Sequence, residues 1–138
     1  MNQKTRQIQV LETKQIPIGE LVPGELVLEN DVIETLKLAI KSGFKVQAPR
    51  VTLIGSVYYV LDGNHRIMAL KELGYESITC RIQPHRPTKG SADYDADMCN
   101  RAIQNGHQGF NGLTRGSKAE KERAYAEEED DDLFSEIE

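Results

Sequence analysis

The 138-residue chain contains no apolar stretch approaching the roughly 18 residues that a membrane-spanning helix requires. Its opening, MNQKTRQIQV, has basic residues but no apolar segment behind them, so no secretory leader is expected. Cysteine is scarce. Cys80 and Cys99 are too few for a disulfide framework, and a cytoplasmic location with both thiols reduced is the expectation. His65, His85 and His107 show no metal-ligand spacing with those cysteines, so no metal centre is expected. Aromatic residues make up only 6% of the chain and offer few platforms for stacking bases.

What is present is unevenly placed. Apolar residues are dense from Ile16 to Ile82 and thin out afterwards. The net charge of −5 hides a second asymmetry: from Tyr125 onward there are eight acids and no base. That leaves 14 acids against 17 bases for residues 1–124, a mildly basic body of +3 with a strongly acidic tail. A block of like charge cannot pack on itself, so the tail is expected to be disordered when free. The chain divides into a flexible start (1–14), a compact α+β domain (15–105), a glycine-rich linker with a marginal helix (106–124) and the acidic tail (125–138).

Within the domain, QIPI (15–18) reads as a short strand, and the stretch around Pro23 and Gly24 as a loop. Asp31 can cap a helix whose inward face would hold Val32, Leu36, Ala39 and Ile40, ending at Ser42-Gly43. PRVTLIG and VYYVLD form a hairpin around Gly55-Ser56. A helix over 64–73 turns Ile67, Leu70 and Leu73 inward, and ESITCRIQ (76–83) is a further strand, with Cys80 as a small buried hydrophobe. Residues 93–106 fit a helix with an acidic first turn. Its Asp93, Asp95 and Asp97 do not form a calcium loop, because Met98 and Gln104 stand where glycine and a bidentate glutamate are needed.

The chemistry concentrates where VYYVLD meets GNHRIMALKELG. Gly63 permits a tight turn and close approach of a ligand to the backbone. The helix that follows has amide donors without internal partners and the positive end of its dipole, which together suit phosphate. Arg66 can reach back as a planar charged fork, with Asn64 and His65 beside it. Asp62 could orient Arg66, hold a metal or accept from a ribose. Alternatively, Asp62 caps the helix, Asn64 and His65 are solvated, and Arg66 pairs with an acid. The local pattern leaves both open.

DGNHRIMALKELG, behind a hairpin and a helix leading into SGFKVQAPRVTLIG, resembles the N-terminal domain of the ParB/sulfiredoxin superfamily, with Gly63, Arg66 and Ala69 in its G-x-x-R-x-x-A corner. The resemblance covers about residues 15–84. It implies a small α+β fold, a mixed sheet with flanking helices, whose corner binds nucleotide phosphates. Sulfiredoxins carry a nucleophilic cysteine directly before the His-Arg pair; Asn64 stands there, so sulfinic-acid reduction is not expected. Fifty-odd loosely patterned residues follow position 84, too few for both further domains of a chromosome-segregating ParB, so a spreading DNA clamp is not expected. The D-G-x-H-R spelling looks most like ATP- or ADP-binding members, including a free-serine kinase. That likeness implies Mg²⁺ with ATP or CTP, a nucleotide bound by Asp62, Gly63, Asn64, His65 and Arg66, and an acidic base near the first strand. Glu29 and Glu25 are the candidates, with Glu20 behind them, and His65 could serve as general acid.

Two other kinds of function stay open. Lys45, Arg50, Arg81, Arg86 and Lys89 could form a basic face for nucleotide or for nucleic acid, the latter as in a ParB-like DNA-binding or nuclease accessory protein of a mobile element, or an ordinary solvated surface. The tail EEEDDDLFSEIE could present Leu133, Phe134 and Ile137 to a groove in a basic protein partner, cover the corner of its own domain, or only aid solubility.

Overall fold

The computed structural model describes residues 11–84, 101–102 and 109–126. The expected helix at 93–106, apart from the helical pair Arg101 and Ala102, lies outside the described residues. So do His85, Arg86, Lys89, Cys99, His107 and the tail residues Leu133, Phe134 and Ile137.

The chain runs β1 (Glu12–Pro17), a 3₁₀ turn (Ile18–Glu20), β2 (Leu21–Val22), β3 (Val27–Glu29) and α1 (Asn30–Lys41). The hairpin follows as β4 (Arg50–Ile54) and β5 (Val57–Asp62), then α2 (Asn64–Glu72), β6 (Ser77–Ile82) and β7 (Thr114–Gly116). A last helix, α3, occupies 118–126. Five strands make one mixed sheet in the order β1-β6-β4-β5-β2, and β3 and β7 pair in parallel as a second small sheet. Among the described residues no helix is long and apolar enough to cross a membrane. The α+β class expected from the sequence is the one found.

The sheet hydrogen bonds as its side-chain alternation requires. Ile78 and Cys80 on β6 are buried beside Ile16 of β1, while Thr79 between them is exposed. Val51 and Val60, opposite each other in the hairpin, are fully buried under α2 residues Ile67, Met68, Ala69 and Leu70. Leu73, expected inward, is half-buried: it caps the C-terminus of α2 one residue past Glu72, just before Gly74.

The first helix departs from expectation by two residues. It begins at Asn30, with Glu29 in the cap position and no side-chain cap bond; Asp31 sits inside the first turn, where its charge complements the dipole. The buried face is accordingly Ile33, Leu36 and Ile40, and Val32 is 37% exposed. Adjacent apolar pairs (Val32-Ile33, Ala39-Ile40) make both phases compatible with the sequence. Packing on α2 selects one.

The larger departure lies in the segment read as linker and marginal helix. Phe110 and Leu113 are buried in the main core, and β7 pairs Thr114, Arg115 and Gly116 with Val27, Leu28 and Glu29. The stretch ELVPGELVLEN (20–30) spells a loop around Pro23 and Gly24, yet it holds β2 and β3, and the β7 partner of β3 is more than 80 residues away. α3 opens with a capping box: Ser117 Oγ accepts from the Glu120 N–H at 3.1 Å, and Glu120 Oε1 accepts from the Ser117 N–H at 2.8 Å. The S-K-A-E spelling was visible in the sequence; the weak apolar periodicity hid the helix. Arg115 then ties the segment to both earlier helices. Its guanidinium donates to Glu72 of α2, to Glu34 at 3.2 Å and to Asn30 Oδ1 at 2.9 Å, and it holds the Glu34 carboxyl below the usual carboxylate range.

Candidate functional site at the strand-to-helix corner

β5 ends at Asp62, Gly63 turns the chain, and α2 begins at once. Gly63 has φ +106° and ψ 21°, a conformation that side chains resist. A Cβ at this position would meet Pro49 Cβ at 2.9 Å. The space expected for a ligand is therefore filled by the Pro49 ring, and the glycine is needed for packing as well as for the turn. No side chain caps α2. The first intrahelical bond runs from Ile67 N–H to Gly63 O at 2.9 Å, so the amides of residues 64–66 lie ahead of the ladder.

Asn64 is neither solvated nor open to a ligand. It is buried, and its Oδ1 accepts from the Gly24 N–H at 3.2 Å, fixing the Pro23-Gly24 loop against the corner. His65 is half-buried, and its Nε2 accepts from the Glu29 N–H at 3.1 Å. An accepting Nε2 requires the neutral imidazole with its proton on Nδ1. Burial is the main cause of a lowered His65 pKa; Lys121 adds to it, while Glu25 and Glu29 oppose it. His65 thus offers a phosphate only its Nδ1–H, and at neutral pH it holds no extra proton to give.

A consequence can be measured. Because the folded pKa lies below the ordinary value, this group's contribution to stability is complete above about pH 6.5. It is lost as pH falls from there through the folded value, since protonation also breaks the bond to Glu29. The urea midpoint of the wild type should therefore fall across this window more than that of His65→Gln, whose side-chain amide does not titrate. Parallel curves for the two proteins would refute it.

Arg66 donates through Nη1 to the Gln47 carbonyl at 2.8 Å and through Nη2 to Asp62 Oδ2 at 3.2 Å. Asp62 does not cap the helix. The same Asp62 oxygen lies 3.9 Å from Nε of Arg50, whose Nη1 donates to Oε1 of buried Gln83 at 2.7 Å. Arg81 is the register partner of Arg50 across the β4/β6 ladder, and its Nε donates to the Ala48 carbonyl at 2.9 Å. The sequence leaves Arg50 and Arg81 either on a basic face or scattered over a solvated surface; strand register, which no local pattern encodes, sets them side by side.

The acidic candidates separate. Glu25 is paired with Lys121 at 3.1 Å. Glu20 ends the exposed turn before β2. Glu29 meets His65 through its backbone, and with Lys118, Lys121, Glu122 and Tyr125 it lines a cleft of about 350 Å³ against α3. Tyr125 Oη accepts from the Leu26 N–H at 3.2 Å, and burial pushes its phenol up to about 12. Cys80, the described cysteine, is buried in β6 with its thiol raised to about 11 by burial, so it presents no thiolate. Among the described residues no three histidine, cysteine or acidic side chains come together as a metal site.

No protein-family model and no curated protein matches the chain. Solved structures do. Protein Atu1540 from Agrobacterium tumefaciens overlays with a TM-score of 0.57 at 16% identity, covering 75% of this chain and 62% of its own, and that likeness is one of fold. SbnI with C-terminal truncation from Staphylococcus aureus gives 0.48 at 27% identity, over 51% of this chain and 30% of that one. The C-terminally truncated chromosome-partitioning protein ParB from Caulobacter crescentus, complexed with CTP-gamma-S, gives 0.48 at 16%, over 68% and 52%. The chain thus spans less than two thirds of each of these proteins. The order of helix, hairpin and corner helix is the one that the sequence resemblance implied, and the α+β fold is shared with Atu1540.

Proposed function

We propose that the corner binds the phosphates of a nucleoside di- or triphosphate. The observation that carries this is the uncapped start of α2, with two arginines, Arg66 and Arg50, converging on a single carboxylate beside it. The free amides and the dipole favour an anion, and guanidinium groups supply the fork geometry that phosphate oxygens match. Each corner residue has a part. Gly63 sets where the amides point, Asn64 holds the adjoining loop still, and Gln47 fixes one side of the Arg66 fork while the other can exchange Asp62 for phosphate.

Mg²⁺ would enter with the nucleotide. The described residues provide no cage for it, which suits an ion that keeps its waters and binds through one or two carboxylates plus phosphates. If phosphoryl transfer follows, Glu29 is the better base of the two candidates, because Glu25 is held by Lys121. The Glu29 carboxylate would take the proton of an acceptor hydroxyl as its oxygen bonds to phosphorus and the bond to the leaving phosphate breaks. Such chemistry rests on positioning and electrostatics.

Calorimetric titration of ATP, CTP, GTP and ADP with Mg²⁺ tests the proposal. One nucleotide should bind, and Arg66→Ala should weaken it roughly 10- to 100-fold, the range for losing a charge-assisted bond. No binding of any nucleotide at millimolar concentration would overturn it. Salt-sensitive DNA binding by the same protein would then favour the accessory-protein alternative.

A further inference from the structure

We infer that Arg50 is a second phosphate-binding guanidinium of this site, and that it selects ligands carrying two or more linked phosphates over a single phosphate. This rests on the corner being a phosphate site at all. Three features of the structure lead to it.

First, Arg50 and Arg66 approach the same oxygen of Asp62, at 3.9 and 3.2 Å, and among the described residues neither has another carboxylate partner. One negative charge is shared by two positive ones. Second, Arg81 occupies the register position beside Arg50 on the neighbouring strand, and among the described residues its side chain has only a carbonyl as partner. Like charges side by side on adjacent strands disfavour the fold. Among the described residues, three guanidiniums against one carboxylate leave a local charge of +2, to which the start of α2 adds about half a charge. A phosphate monoester, at about −1.5 to −2, leaves part of that uncompensated; a di- or triphosphate does not.

Third, Arg50 is held in place from behind. Its Nη1 donates at 2.7 Å to Gln83, a 6%-exposed side chain whose own backbone N–H is bonded to Val51 O. A fork anchored at one end by a buried amide, with its Nε turned toward Asp62, is arranged in advance for an anion at the other. Pre-organisation of this kind reduces what binding costs in side-chain ordering. Arg66 is anchored in the same manner by the Gln47 carbonyl. Two forks fixed on either side of one carboxylate suit two phosphates.

The probes are inorganic phosphate, pyrophosphate and tripolyphosphate, titrated by calorimetry into the full chain, Arg50→Gln, Arg50→Lys and Arg66→Ala. The wild type should bind pyrophosphate and tripolyphosphate at least about tenfold more tightly than phosphate. Arg50→Gln should remove that preference, weakening pyrophosphate and tripolyphosphate more than phosphate. Arg50→Lys, which keeps the charge but not the fork, should retain part of it and guards against loss of the Gln83 bond as the sole cause. If Arg66→Ala weakens all three anions while both Arg50 variants bind them like the wild type, Arg50 has no such role and the phosphate site stands. Equal weakening of phosphate and pyrophosphate in Arg50→Gln likewise overturns the selectivity. If the wild type binds none of the three, the phosphate site itself falls, and this inference with it.

Discussion

Gly63→Ala should destabilise the protein by about 2–6 kcal/mol, enough to remove much of the 5–15 kcal/mol typical of a small domain. Two separate costs contribute. At φ +106° an alanine sits outside the regions open to side chains, a strain of roughly 1–3 kcal/mol. Its Cβ would also stand 2.9 Å from Pro49 Cβ and 3.2 Å from Pro49 Cα. Relief would require moving backbone that is itself held, since Pro49 O accepts from the Arg81 N–H at 2.8 Å; overpacking of this sort costs roughly another 1–3 kcal/mol. Urea denaturation of the two proteins measures the sum. Pro49→Gly in the alanine background helps to separate the parts, because it removes the closest contact, that with Pro49 Cβ, keeps the looser one with Cα and leaves the strain. If Gly63→Ala shifted the midpoint by less than about 1 kcal/mol, the corner would not have this geometry, and the placing of the α2 amides would fail with it.

The same corner shows what a sequence can and cannot carry. The hairpin and α2 were legible because their signals are local: alternation in VYYVLD, a glycine where the chain turns, apolar spacing in IMALKEL. Gly63 was found for a partly mistaken reason, since the missing Cβ makes room for Pro49 as well as for the turn. Asn64 and His65 were placed at the site, but their partners, Gly24 in a loop and the Glu29 backbone at the end of β3, lie 40 and 36 residues away. Nothing in the local spelling distinguishes a buried asparagine that holds a loop from a solvated one that greets a ligand. Arg50 illustrates the same limit. Only the β4/β6 register, parallel and therefore formed by distant segments, sets it beside Arg81, and only the bulge next to Val51 aligns it with Asp62.

Phe110→Ala should cost about 3–5 kcal/mol, the range for deleting a buried aromatic side chain. The expectation is sharp because the sequence alone points the other way. NGHQGFNGLTRGS has the glycine content of a linker, and truncating a linker residue shifts stability by no more than about 0.5 kcal/mol. In the structure Phe110 is 3% exposed and belongs to the same apolar cluster as Leu21, Leu28 and Ile67. It enters that cluster just before β7 pairs with β3, so its loss would also loosen the strand that carries Arg115 to Glu72 and Glu34. Asn111→Ala, at the exposed neighbouring position, is the internal control and should be neutral. Amide exchange adds a spatial reading. In Phe110→Ala, protection should fall first in the β3/β7 ladder and around the Leu26 amide that Tyr125 holds, while the β4/β5 hairpin keeps its own. Since β3 ends at Glu29, whose N–H fixes His65, a loosened β7 would reach the corner through one strand. Weaker nucleotide binding in Phe110→Ala, with no contact between Phe110 and the site, would show that the C-terminal segment holds the first turn of α2 in position; unchanged binding would confine its part to stability.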